Sequence, residues 1–395
     1  MGMSALVGDE PVRRLVPIGR KTPTEGLKVP RSRFGPPLDA EHGPVFECIF
    51  QEAGFARSLH DRLLTQSQAG SFIEERPANA TPLAVSVIIP TFGRNESLVR
   101  CLTALSAQTL PREAFEVIVC DDGSPTPAAA TVEPFTECMN VLVVRRSRAG
   151  PAAARNEGAR HARSGFLAFT DDDCVPESHW LEALVERKRR HPGHMIGGSI
   201  VNLLPKDPYA TATQLITSCV YDYYSRSTDG HRFFSTTNLA VPTNRFWLLD
   251  GFSERFPRAA GEDYDFCARW EEAGFGSEYA PEVEAGHAHG HSLVSFWKQH
   301  FGYGRALFRV REGMARRRGK SGIQLEAPGF YKQILTYPLK HSAHGRALRS
   351  TALVLLAQIA TVVGGLREWL LPGSSLTAPT RTGEHRSPHA SSVTL

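Results

Sequence analysis

The chain has 395 residues and a mass of 43.4 kDa, a length that suggests two or three domains. Hydrophobic residues make up 41% and charged residues 22%, which excludes a wholly disordered, collagenous or small disulfide-stapled protein. The net charge is only +4, which argues against a dedicated nucleic-acid binder, so no nucleic-acid partner is expected.

The charge is unevenly spread. Between Lys298 and Arg349 twelve Lys or Arg meet only Glu312 and Glu326. The seven cysteines (48, 101, 120, 138, 174, 219 and 267) are odd in number, widely spaced and never CxxC. They spell neither a zinc ribbon nor a disulfide framework, so a reduced, cytoplasmic setting is expected. The first thirty residues hold no apolar run long enough for a secretory signal.

Residues 1–82 are rich in Pro and Gly and read as an extension, partly disordered, with short helices. The helical spacing of Phe46, Ile49, Phe50, Phe55, Leu59 and Leu63 predicts one of these helices. The texture changes at Val85. Val85–Ile89 is a β-branched run that ends at Pro90. Leu98, Leu102 and Leu105 share a helical face, with Asn95 as the expected N-cap. Strands are predicted over 115–120, 141–144 and 166–169. An Ala-rich helix is predicted over 150–163, with Pro151 in its first turn, and another over 180–190. This alternation implies an α/β domain with a mostly parallel sheet, whose ligand would lie beyond the carboxyl ends of the strands.

Two strands run into acidic clusters there: Asp121-Asp122-Gly-Ser and Asp171-Asp172-Asp173. Adjacent carboxylates repel and are costly to bury without a cation or donors. A divalent ion, Mg²⁺ or Mn²⁺, with a phosphate-bearing ligand accounts for both clusters. Helix capping or turn formation by Asp is the plainer account of either one alone. A third group, Gly261-Glu262-Asp263, opens a predicted helix. It either complements the helix dipole or supplies a general base. His287, His289 and His291 alternate and would point to one side of an extended segment, where they would close a metal site or merely pack.

Taken in order, VSVIIPTFGR (85–94), VIVCDDGS (117–124), GPAAARNEG (150–158), FLAFTDDD (166–173), TTNLAV…DGFSERF (236–256), GEDYDFCARWEEAGF (261–275) and HAHGHSLVSFW (287–297) resemble the GT-A glycosyltransferases of family 2. The resemblance covers roughly 85–311. It implies a GT-A domain over 83–311: a Rossmann-like, mostly parallel but mixed sheet flanked by helices. A basic and apolar helical region (312–372) and a disordered tail (373–395) would follow.

The implied activity is inverting, metal-dependent transfer of a single sugar from a nucleotide-sugar, with a UDP-sugar favoured. The acceptor would be a hydroxyl of a glycan, a lipid-linked molecule or a small molecule, in cell-envelope, glycolipid or secondary-metabolite glycosylation. By position, Pro90, Thr91 and Arg94 would line the nucleotide pocket, Asp121 would accept from the base, and Asp122 would close the same turn. Arg155 and Asn156 would lie near the ribose or diphosphate. Asp171 would face the ribose and, with Asp173, His287 and His289, the metal, with Asp172 between the two carboxylates. Thr237 and Asn238 would border the sugars. Asp263 would be the base, and Glu262 would contact the acceptor.

Two departures stand out. Ser124 is followed by Pro125 rather than Asp, and no QxxRW-type processive signature follows the Glu-Asp pair. Two rivals fit in part. One is a haloacid-dehalogenase-type phosphatase, since Asp171-Asp-Asp173-Cys-Val fits its motif but leaves DDGS unexplained. The other is a non-catalytic sugar-nucleotide binder, which would not need Asp171, Asp173 and Asp263.

Residues 350–366 are mostly apolar and stand at the lower end of the membrane-spanning length of ~17–25 residues. The basic tract 305–320 precedes them and would attract anionic lipid. Membrane association, peripheral or anchored at the cytoplasmic face, is therefore expected, against a solvated basic face and an ordinary packed helix.

Overall fold

A computed structural model describes residues 82–225, 232–256, 260–319, 325–342 and 345–371. The extension, its predicted 46–64 helix and the tail lie outside the described residues. In chain order the elements are β1 (Val85–Thr91), α1 (Asn95–Ser106), β2 (Phe115–Asp121), α2 (Ala129–Val132), β3 (Val141–Arg145), α3 (Pro151–Arg160), β4 (Phe166–Phe169), β5 (Cys174–Pro176), α4 (Trp180–Arg190), β6 (Met195–Asn202), α5 (Pro208–Ser225), β7 (Leu239–Pro242), α6 (Thr243–Leu248), α7 (Glu262–Glu272), β8 (Ser277–His287), α8 (Leu293–Arg317), α9 (Pro328–His341) and α10 (Ala347–Leu370). The described strands form one mixed sheet in the order β3-β2-β1-β4-β7-β6-β8-β5. The first four are mutually parallel. β7 runs antiparallel to β4 and β6, and β6 is parallel to β8. The expected α/β class is present, with a larger antiparallel share than the strand runs alone suggested.

Both faces of the sheet are covered, so its central strands are mostly apolar. Val85, Val87 and Ile89 of β1 pack with Leu98, Leu102, Trp180 and Leu184 of α1 and α4. Ile88 points the other way, toward Phe246, Phe252, Phe266 and Trp270. Gly158 in α3 lets that helix sit on β1, because a Cβ there would fall 2.6 Å from the Ile88 side chain. Buried Ser86 and Glu116 would be costly unpaired. Ser86 donates to Glu116 at 2.6 Å, and Arg163 closes the pair at 2.7 Å.

Some expectations need correction. Asn95 is already helical; Arg94 takes the cap position, and its side chain makes no cap bond. Among the described residues, the basic tract 305–318 is not an open cationic face. Arg305 and Arg309 bind Glu368, Arg311 binds Glu326, Arg317 binds Asp265 and Glu272, and Arg318 reaches Glu272.

Candidate active site

The site lies where β1, β2 and β4 end. Thr91, the last residue of β1, pairs in register with Asp121, and its carbonyl accepts the Asp122 N–H at 2.9 Å. Its hydroxyl donates to Asp172 at 2.7 Å. One β-strand end thus joins the two acidic clusters that are 49 or more residues apart in sequence.

The first cluster is committed mainly to shaping its loops. Asp121 is buried and accepts from the Ser124 and Ala128 N–H groups at 2.7 and 3.1 Å and from Arg145 at 2.8 Å. Asp122 accepts from the Ala149 and Gly150 N–H groups at 3.0 and 2.8 Å, fixing the entry to α3. Gly150 stands there at φ +101°, a conformation that a side chain would strain.

The second cluster gathers cations. Asp171 accepts from Arg155 at 2.6 Å and from the Thr237 hydroxyl at 3.1 Å. Arg94 lies 2.5 Å from Asp173 and 3.2 Å from Asp172. β5 pairs antiparallel with β8, Cys174 opposite His287, which delivers His287 and His289 to Asp173 at 3.3 and 2.8 Å. Burial alone would raise the Asp173 carboxyl, but the two histidines and Arg94 hold it far below the ordinary carboxylate range. Asp172 behaves oppositely. Burial, with Asp173 beside it, pushes it up to about 6 despite Arg94.

Among the described residues, Asp173, His287 and His289 bring one carboxylate and two imidazoles within 4.8 Å of one another, and Asp171, Asp173 and Cys174 form an overlapping group. This donor set fits a divalent ion. Its nitrogen ligands suit Mn²⁺ better than Mg²⁺, which favours oxygen. His291 is not part of it; its N–H bonds Asp207 and its ring meets Phe296. Another cluster, His191, His194 and Glu278, sits at the starts of β6 and β8, the opposite end of the sheet, with Glu278 tied to Arg187.

Arg155 connects the second cluster to the third. Its guanidinium donates to Asp171 and, at 2.8 Å, to Glu262. Glu262 is buried, and its Oε2 has no hydrogen-bond partner. Burial raises its carboxyl even with Arg155 beside it. Asp263 is half-buried and accepts the Tyr264 N–H at 2.8 Å. Burial and the Glu262 charge push it up to about 7. Gly261, at φ +91°, turns the chain into α7, and a Cβ there would fall 2.9 Å from Ala306 of α8. The helix start is therefore pressed against α8.

Two predicted residues have other work. Asn156 bonds the Phe252 carbonyl and N–H and Glu254 at 2.8, 2.9 and 3.0 Å, bracing the 252–254 loop. Asn238 donates to the Ser199 and Val283 carbonyls, both at 2.8 Å, and accepts from Trp180 at 2.9 Å. Pro90 is a buried strand residue. Sequence reasoning missed Arg145, the partner of Asp121, and Tyr303. Tyr303 of α8 is 37% exposed and its hydroxyl accepts from Gln299 at 2.7 Å; desolvation of that hydroxyl and the charges of Asp263, Glu262 and Asp171 raise the phenol. No motif marks either residue; both arrive from neighbouring elements.

Residues 86–250 match the family described as "Glycosyl transferase family 2". The glycosyltransferase AglE of Haloferax volcanii is 28% identical over 201 residues, covering 50% of this chain and 65% of that protein. The validoxylamine A glucosyltransferase of Streptomyces hygroscopicus subsp. limoneus is 28% identical over 239 residues, 52% of each chain. This chain thus spans about half to two thirds of the length of these curated relatives. A solved mannosyltransferase, PcManGT from Pyrobaculum calidifontis in complex with GDP-Man and Mn²⁺, superposes with a TM-score of 0.45 at 20% identity, covering 83% of this chain and 92% of that one.

Proposed function

We propose, from the match of residues 86–250 to glycosyl transferase family 2, that this chain transfers a single sugar from a nucleotide-sugar, a UDP-sugar first, to an acceptor hydroxyl with inversion. The observation that carries the reading is the Arg155 bridge. One guanidinium ties the DDD turn after β4 to the Glu262-Asp263 start of α7, so donor-side and acceptor-side carboxylates share a cleft.

Asp121 has three of its four lone-pair sites filled and keeps one for a base N–H. Thr91, Arg94 and Asp172 flank the nucleotide, and Asp171 faces the ribose. Asp173, with Asp171, His287 and His289, would hold Mn²⁺ or Mg²⁺; when bound, that ion stabilises the negative charge of the departing diphosphate. Arg155 orients Asp171 and Glu262. The unpartnered Glu262 Oε2 accepts a hydrogen bond from the acceptor. Asp263 takes the acceptor hydroxyl proton as the new C–O bond forms. The bond from the anomeric carbon to the diphosphate breaks, and its electron pair leaves with the nucleoside diphosphate. Attack from the opposite face inverts the anomeric centre in one displacement, with no enzyme nucleophile. Acceptors of the glycan, lipid-linked or small-molecule kind suit this chemistry.

The phosphatase rival gives no role to the Asp121–Asp122 turn or to the unpartnered Glu262 Oε2. A screen of UDP-, GDP- and dTDP-sugars, with and without Mn²⁺, tests the proposal by thermal shift and by nucleoside diphosphate release. Hydrolysis of p-nitrophenyl phosphate through an aspartyl-phosphate, with no response to any nucleotide-sugar, would refute it.

A further inference from the structure

α10 has no polar long face. One side, made by Ser350, Val354, Ala357, Ala360, Gly364 and Glu368, is buried. It lies against α8 so closely that a Cβ on Gly304 would fall 1.8 Å from the Thr361 carbonyl oxygen, and one on Gly364 2.0 Å from that of Phe301. Val354 packs on Phe296 near one end of this seam, and near the other Glu368 receives Arg305 at 2.6 Å and Arg309 at 2.7 Å.

The other side is exposed and apolar. Leu348, Leu355, Ile359, Val362 and Leu366 follow the helical repeat, and Trp369, Leu370 and Leu371 complete the stripe. α9 packs beside α10 and exposes Leu335 and Leu339. The charges around this surface have one sign. Lys332, Lys340, Arg346, Arg349 and Arg367 are exposed, while the single acidic residue described between 327 and 371, Glu368, is buried.

We propose that this face docks on an anionic phospholipid bilayer, with α10 lying in the plane of the interface and not crossing it. An apolar stripe rimmed by bases and a terminal tryptophan matches the headgroup boundary of an anionic membrane. Crossing would require α10 to leave α8, parting Glu368 from Arg305 and Arg309, or to take Arg305, Arg309 and Arg311 into hydrocarbon with it. A second copy of the chain is the poorer occupant, because two such faces carry the same charge. The proposal rests on the packing of α8 and α10 and goes beyond the transfer chemistry, so either can fail alone.

The test uses the full chain and vesicles of phosphatidylcholine alone or equimolar with phosphatidylglycerol. The protein should sediment with the anionic vesicles and much less with neutral ones, and alkaline carbonate should release it. Its tryptophan emission should shift to the blue on binding, and Trp369→Phe should remove that shift. The double substitution Ile359→Glu with Val362→Glu should weaken binding by at least about tenfold, with the unfolding midpoint and nucleotide-sugar response kept. Three results would overturn the proposal: unchanged vesicle binding by that variant, resistance to carbonate extraction, or a dimer that forms through this face and binds no vesicles.

Discussion

Asp263 stands at the first turn of α7 with a carboxyl raised by burial and by Glu262 to about 7, and this sets opposite pH trends for activity and stability. Only the ionised form takes a proton, so transfer should rise with pH and level off above about 7. Below about 4 the group is protonated in the folded and unfolded chain alike. Between about 4 and 7 the folded chain holds a proton that the unfolded chain releases, so this group's stabilising contribution is lost as pH rises through 7. A rate profile and a denaturation series over the same range check both trends. Asp263→Asn should keep donor binding, lower transfer by roughly 10²–10⁴-fold and abolish the rising limb; near-normal turnover would remove Asp263 from the base role. Arg155 carries a different burden. Its side chain is 4% exposed and pairs with two carboxylates. Arg155→Ala should cost about 3–5 kcal/mol in urea unfolding, because Glu262 is left buried and uncompensated while Asp171, 24% exposed, keeps only Thr237, and a cost below about 1 kcal/mol would show the bridge to be solvated. The carboxylates were legible in the sequence because charge at the end of an apolar strand needs a reason. The bracing roles of Asn156 and Asn238 were not, because an amide inside a motif reads the same whether it meets a ligand or a backbone carbonyl.

At the scale of elements, β1, β2, β3 and β4 were readable because each is a short, mostly apolar run. The second half of the sheet was not. β6 carries Gly197 and Gly198, which look like a turn. They are there because Cβ atoms would collide with the Phe234 ring at 2.0 Å and the Val283 carbonyl at 2.2 Å. β8 contains Pro281 and four glutamates or histidines that mask its period, and its register with β6 shifts at Gly198/Ser199. The seam of α8 and α10 was equally hidden, since 350–366 shows hydrophobicity without showing what it packs on. Glycines supply a test of that seam. Gly304→Ala improves helix propensity by about 1 kcal/mol yet drives a methyl into the Thr361 backbone, so a net loss of about 1–3 kcal/mol is expected. Gly302→Ala, two residues away and facing open space, should be neutral or stabilising. Equal effects of the two in thermal unfolding would mean that α8 and α10 do not touch there.

For the whole molecule, the cleft is a surplus of negative charge held between distant parts of the chain. Seven carboxylates (121, 122, 171, 172, 173, 262 and 263) face four arginines (94, 145, 146 and 155). They come from the ends of β2 and β4 and the start of α7, so the fold bears their repulsion as a unit. A divalent cation relieves that repulsion only when the segments are assembled, and therefore binds the folded chain far better than the unfolded one. Linkage then predicts that Mn²⁺ raises the unfolding midpoint, by about 2.7 kcal/mol of stability at a hundredfold excess over its dissociation constant. A nucleotide-sugar should add to the shift, and EDTA should remove both. Asp173→Ala should lose the Mn²⁺ shift while retaining a fold that melts cooperatively, because that carboxylate is common to the two candidate ligand groups in the cleft. Lys298→Ala, an exposed residue outside the cleft, should keep the shift in full. If Asp173→Ala still responded to Mn²⁺ as the parent does, the cation would be bound elsewhere. The crowding of carboxylates at the strand ends would then have to be met by Arg94, Arg145, Arg146 and Arg155 with His287 and His289.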